Sequence, residues 1–304
     1  MRKISVAILL GVLLLSACAG QKNGSDDTTT AIESSLSEPS VNKANIHLTY
    51  SNLADDETRD RVRNALTNAG MAENNINEFF EAVDEYNNAV GNENLVDKMT
   101  TIEEAFPQYD SDKLIDLWID KGGFVGRNCR ITSYSLMKDF IKVGNPVAGD
   151  TTMLFSDFEG ISEKNIFNES EKKNFDSIFS YIDVSNTMDV DVLAKEIQKD
   201  LENKQITFSN DKMHMISLYM TLDDGTNKVQ EFIGHTGILV DDGDKYLFIE
   251  KLAFQMPYQV IEFNNRQELN DYLMGYYDVD APGISAKPIV FEDDHVLPEY
   301  RVVN

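Results

Sequence analysis

Hydrophobic positions recur at helical spacing over roughly residues 52–120. Val62, Leu66 and Ala69 share one side of an otherwise polar stretch that Gly70 stops. Ile76, Phe79, Phe80, Val83 and Tyr86 predict a second helix over 75–90, ended by Gly91. A third follows Ser111, with Leu114, Ile115, Leu117 and Trp118 facing inward. At this spacing the aromatic stripe reads as core rather than as a ligand groove. Lys121-Gly122-Gly123 marks a break. Beyond it, GRNCRITSYSLMKDFI carries Ile131, Tyr134, Leu136 or Met137, and Phe140, which predict a helix opening near Asn128 or Cys129. Residues 142–210 are mostly polar, with one predicted helix over 189–202 marked by Val192, Leu193, Ile197 and Leu201.

From residue 213 the period changes to two. HMISLYMTL, KVQEFIGHTGILV and YLFIEKLAF, separated by DDGTN and DDGDK, predict a three-stranded antiparallel meander. A short amphipathic helix over 267–274 and an extended tail over 282–304 follow, and no internal repeat is present. The pattern predicts an α+β fold: a helical subdomain over 47–120 packed against a domain over 121–304 that carries a helix and an antiparallel sheet.

The N-terminus changes the setting. Arg2 and Lys3 precede an apolar run over 4–15, broken only by Ser5 and Gly11, which suits a signal-peptide core and is too short to span a bilayer. It ends Leu15-Ser16-Ala17-Cys18, which resembles the bacterial lipobox. Residues 1–18 are therefore expected to be a lipoprotein signal, with Cys18 lipidated and two acyl chains giving durable anchoring. Residues 19–46, rich in Ser, Thr, Asp and Asn without an aromatic, are expected to be a tether. The expected location is the outer face of the bacterial cell membrane, with the membrane itself as a partner.

Charge then removes one class of partner. With 27 Lys+Arg against 52 Asp+Glu, the chain of 304 residues carries −25, the wrong sign for binding nucleic acid. At 42% hydrophobic residues there is enough apolar material for a core. There are two cysteines, so if Cys18 carries lipid, Cys129 has no partner in an exported protein. It is then either buried and inert or retained for its reactivity.

Three residues make the second option concrete. Cys129, at a predicted helix start between Asn128 and Arg130, has the dipole and cations that favour a thiolate. His235 opens the strand segment HTGILV. Taking Asp242-Gly243 as a two-residue hairpin loop pairs Asp241 with Asp244 and sets residue 235 opposite residue 250. Glu250 then neighbours His235 across the strands and is placed to orient its ring. His214 reads as structural and His295 as surface, while His47 lies near the tether. The GxSxG, GxxxxGKS/T, HExxH and GxGxxG motifs are missing. The acidic turns fail the EF-hand spacing, so no metal and no cofactor are expected.

The order cysteine at a helix start, His-x-Gly-Ile on a strand and a polar residue on the next strand resembles NlpC-type cell-wall peptidases and the wider papain-like superfamily. More closely, GRNCRI, GHTGILV, FIEKLAFQMPYQ and the AG-x(8)-FF-x(5)-YN stretch over 69–87 resemble bacterial lipoproteins of the domain of unknown function 4300 family, over roughly residues 48–300. The resemblance implies a papain-like (NlpC-type) lobe built on a helix and antiparallel sheet. By the superfamily pattern Cys129 is the nucleophile, His235 the base and then acid, and Glu250 the orienting group. The Cys129 backbone N–H contributes to an oxyanion hole. Asn128 is a candidate oxyanion or substrate contact, and Gln259 a candidate for binding or for the third role. The chain has Asn-Cys-Arg-Ile where NlpC-type enzymes have Asp-Cys-Ser-Gly.

The first functional expectation is an anchored cysteine hydrolase acting on an amide, with a peptidoglycan peptide as substrate. Two alternatives stay open. One is a non-catalytic binding lipoprotein on the same scaffold, and the other is a lipid-directed acyl hydrolase or transferase.

Overall fold

Apolar alternation builds the centre of the molecule. In the computed structural model, residues 47–303 apart from 224, 226, 227, 281, 282 and 284 are described. Cys18, the signal peptide and the tether lie outside the described residues. The chain opens with β1 (Leu48–Ser51), α1 (Asp56–Asn68), α2 (Glu73–Val90), β2 (Thr100–Ile102), α3 (Ser111–Lys121) and α4 (Cys129–Met137). Next come β3 (Ile141–Val143), α5 (Phe155–Lys164), α6 (Glu169–Phe179), β4 (Ile182–Val184), α7 (Val190–Asn203) and β5 (Ile206–Phe208). The last third holds β6 (Met213–Asp223), β7 (Val229–Asp242), β8 (Lys245–Lys251), β9 (Tyr258–Phe263), α8 (Arg266–Tyr277), β10 (Ile289–Glu292) and β11 (His295–Val296).

The result is a mixed α and β protein with eight α-helices among the described residues and an antiparallel sheet in the order β11-β10-β6-β7-β8-β9-β1-β2. β4 adds to β7, and β3 pairs separately with β5. The predicted meander is thus the middle of a larger sheet. Because β1 pairs with both β9 and β2, the helical stretch over 47–120 and the later residues share one compact unit, Asn42–Asn304.

The two faces of the sheet bury different residues. Met215, Ile238, Val240, Leu247, Ile249 and Val260 pack with apolar side chains of α1 to α7. Ile216, Leu218, Leu239, Phe248, Ile261 and Phe263 pack with Leu269, Tyr272, Leu273 and Met274 of α8. Alternation of side chains across the pleat sorts the two sets.

The hairpin register differs from expectation. The closing pair of β7 and β8 is Asp242↔Lys245, and Gly237 rather than His235 lies opposite Glu250. The loop is Gly243-Asp244, with the φ of 76° falling on Gly243 as its first central residue, the placement of glycine in a type II′ turn. The slip is two residues in pairing, so no side chain changes face. His235 and Glu250 become diagonal neighbours, still within reach of long side chains. Beside His235, the pairing of β6 and β7 shifts between Leu218↔His235 and Tyr219↔Ile233. Gly234 is left unopposed, a bulge of the kind that re-aims an adjacent side chain.

Candidate active site

The cysteine is set by the start of α4. Asn128 caps the helix: its Oδ1 accepts from the Ile131 N–H at 3.0 Å. Its Nδ2 donates to Asp157 Oδ1 at 2.8 Å. Asp157, fully buried on α5, also receives the Arg130 fork, Nε to Oδ1 at 2.9 Å and Nη2 to Oδ2 at 2.7 Å. The first turn of α4 is thereby fastened on both sides of Cys129. Two glycines permit the close packing behind it. A Cβ on Gly160 of α5 would stand 2.5 Å from the Gly126 carbonyl oxygen, and one on Gly126 (φ +109°) would stand 2.6 Å from that of Phe254.

α4 packs against β7 and β8, which brings Cys129 to His235. The thiol and the imidazole are near enough for each to shift the other's proton affinity. His235 Nε2 is taken by Glu250 Oε2, which leaves Nδ1 as the ring nitrogen not engaged by the carboxylate. All three residues are nearly sealed, with exposures of 6% for Cys129, 2% for His235 and 0% for Glu250. The Tyr277 ring stacks on His235 at 4.8 Å with an interplanar angle of 20°.

A hydrogen-bonded chain holds Glu250. Its Oε1 accepts from Gln259 Nε2 at 2.6 Å and from the Tyr272 hydroxyl at 2.9 Å. Gln259 Oε1 in turn accepts from the Tyr109 hydroxyl at 2.8 Å, and Tyr109 Oη accepts from Asn52 Nδ2 at 2.8 Å. Each donor points toward Glu250, so the polarisation along the chain accumulates there. Because Tyr109 donates to the Gln259 oxygen, the Gln259 amide is fixed with its nitrogen toward Glu250.

Electrostatics follow from this packing. Burial pushes the Cys129 thiol up, but the hydrogen bond and positive charge of His235, with Arg130 behind it, hold it below the ordinary thiol value. Asp157 works against them. Burial pushes His235 down, yet its bonds to Cys129 and Glu250 raise it to about 9. The two shifts agree in favouring a thiolate–imidazolium pair.

Of the residues expected from sequence, Cys129, His235 and Glu250 meet at one place. Gln259 bonds Glu250 rather than His235. Both side-chain polar atoms of Asn128 are engaged within the protein. His214 joins β6 to Asp293 through Nδ1 at 2.8 Å, and His295 is exposed. The sequence reading missed Tyr272, Tyr109, Asn52 and Tyr277, whose positions depend on contacts distant in the chain. It also missed Asp157, for which a carboxylate amid the polar 142–210 stretch gave no signal. Lys251 was missed as well. It points to the opposite face from Glu250, fully buried, with Nζ donating to the carbonyls of Met256 and Phe254 and lying 3.9 Å from the Tyr86 ring centroid. Burial, reinforced by Arg127, lowers its amine well below the usual lysine value.

Among the described residues no cluster of three or more His, Cys, Asp or Glu is placed to hold a metal ion. No helix among them is long and apolar enough to cross a membrane.

The molecule is thus an α+β protein with a buried cysteine–histidine–carboxylate line between a helix start and an antiparallel sheet. The chain belongs to the family of domain of unknown function DUF4300, whose model matches residues 49–297. No curated protein and no solved structure matches the chain.

Proposed function

We propose that this protein is a papain-like cysteine hydrolase that cleaves an amide. In this reading it is anchored by lipid on Cys18 at the outer face of the bacterial cell membrane. The observation that carries the proposal is the alignment of Cys129, His235 and Glu250, with the thiol's proton affinity lowered and the imidazole's raised. The helix-borne cysteine against a sheet-borne histidine supports a papain-like arrangement, and the lipobox-like Leu15-Ser16-Ala17-Cys18 supports the location.

In the mechanism, the Cys129 thiolate attacks the amide carbonyl, and a carbon–sulfur bond forms as the carbonyl π electrons move to oxygen. The Cys129 backbone N–H, in the first turn where helical N–H groups have no internal acceptor, stabilises that oxyanion. The carbon–nitrogen bond then breaks, and His235 gives its proton to the departing amine. His235 next takes a proton from water, whose hydroxide displaces the thiolate and releases the carboxylic acid. Glu250, immobilised by Gln259 and Tyr272, keeps the ring oriented and stabilises its charged form. A peptidoglycan peptide is the substrate that suits the proposed location.

A second reading, a non-catalytic binding lipoprotein, draws on the near-complete burial of Cys129 and His235. Purified peptidoglycan and model acyl amides, incubated with the protein and analysed by mass spectrometry, separate the two. The hydrolase reading expects released amines and an acyl group on Cys129. It expects none with Cys129→Ala, and a rate lower by about 10²-fold or more with Glu250→Gln. Equal product from native protein and Cys129→Ala would contradict it. Release confined to acyl-lipid substrates would shift it to the lipid-directed class.

A further inference from the structure

A groove of about 490 Å³ lies between α2, α4 and the end of α5. It reaches the nucleophile's helix at Arg127 and Thr132, one of them two residues before Cys129 and the other one turn after it on the same side. Its walls differ in charge. α2 contributes Glu78 and Glu81, adjacent on one helix face. Arg127 and Tyr258 also line the groove. None of Glu78, Glu81 and Arg127 takes part in an ion pair among the described residues. Arg127 Nε is buried without an acceptor. The other cations lining the groove are already matched, Lys164 to Glu85 at 2.7 Å and Lys138 to Glu171 at 3.2 Å.

An unpaired guanidinium is unusual in a chain of charge −25. Its planar fork suits a carboxylate, which would supply the missing acceptor. Two unpaired carboxylates across the same groove suit an amine. A net anion would be repelled by the field of the whole molecule, whereas a zwitterion would not.

We infer that this groove receives a short zwitterionic peptide, its carboxylate on Arg127 and its free amine against Glu78 and Glu81. This rests on the hydrolase reading for the reacting bond. With Arg127 so close in sequence to Cys129, the amide presented to the thiol is one near the carboxylate end of the peptide. Phe79 and Ala82 form an apolar strip beside it that suits small aliphatic side chains. Cys129 does not itself line the groove, so the bound peptide reaches sulfur by a side-chain displacement at the Arg127 end.

The test uses trialanine in four forms: free, C-terminally amidated, N-acetylated and capped at both ends. Binding to the full chain carrying Cys129→Ala is measured by calorimetry. The free peptide is expected to bind tightest, with each cap costing about tenfold or more. Added Arg127→Gln should abolish the difference between acid and amide while leaving the effect of N-acetylation. Glu78→Gln with Glu81→Gln should do the reverse. Arg127→Lys, which keeps the charge but not the fork, should retain part of the preference and shows that loss in Arg127→Gln is not unfolding. Equal binding of all four forms, or binding of none, overturns the inference. The failures are separable. The expected binding pattern without cleavage by the native chain removes the hydrolase and leaves the groove. Cleavage of the doubly capped peptide at the free peptide's rate, unaffected by Arg127→Gln, does the opposite.

Discussion

Glu231 and His235 lie four residues apart on β7, and burial acts on them in opposite senses. For Glu231 only one hydrogen bond offsets it, and only in part. The Thr221 hydroxyl donates to Oε1 at 2.5 Å, Oε2 has no partner, and desolvation raises the carboxyl to about 7 from an ordinary 4.5. The folded state therefore holds a proton that the unfolded chain has released. Stability falls as pH rises from about 4.5 to 7, by a total on the order of 3 kcal/mol. Glu231→Gln, neutral at all pH, should flatten that slope and raise the urea midpoint at pH 8 relative to native protein. An unaltered slope between pH 5 and 7 would show that Glu231 is not its source. At this scale the candidate site was legible in the sequence, for a definite reason. The hairpin turn was misplaced, yet an even slip keeps His235 and Glu250 on one face. The residues that hold Glu250 come from β9, α8 and the segments around Asn52 and Tyr109, and no local pattern announces them.

At the scale of elements, α4 is the piece on which the chemistry depends, and Asp157 of α5 is its anchor. Removing that carboxylate leaves Arg130, with a side chain only 12% exposed, without its counter-charge and Asn128 without its acceptor. Asp157→Ala is expected to destabilise the fold by about 3–5 kcal/mol in urea denaturation, and a loss below ~1 kcal/mol would contradict the anchoring role. α5 itself escaped the sequence reading because Gly160 interrupts its helical pattern, although close approach of the Gly126 carbonyl demands glycine there. α6 was legible in principle. Asn168 and Glu171 form a capping box ahead of Phe175, Ile178 and Phe179, and the surrounding charge obscured that apolar stripe. The short strands β2, β3, β4 and β5, of three residues each, are too brief to show a period of two. The main helices and the meander, which have longer periodic runs, were placed within a few residues.

Across the whole molecule, long-range pairing decides what local pattern leaves open. β1 crosses to β9, so the N-terminal helices lie over the same sheet that carries His235 and Glu250. That sheet, covered on one face by α1 to α7 and on the other by α8, is what keeps the imidazole and its carboxylate away from water. Low local dielectric then strengthens every interaction in the line from Asn52 to the thiol. The central claim is that this arrangement lowers the proton affinity of the Cys129 thiol below that of an ordinary cysteine. The direct measurement is the rate of Cys129 alkylation by iodoacetamide as a function of pH in the native folded chain. The account predicts a midpoint below the ~8.5 of an ordinary thiol. A rate that stays near zero at neutrality and rises only through about 8.5 or above would contradict it.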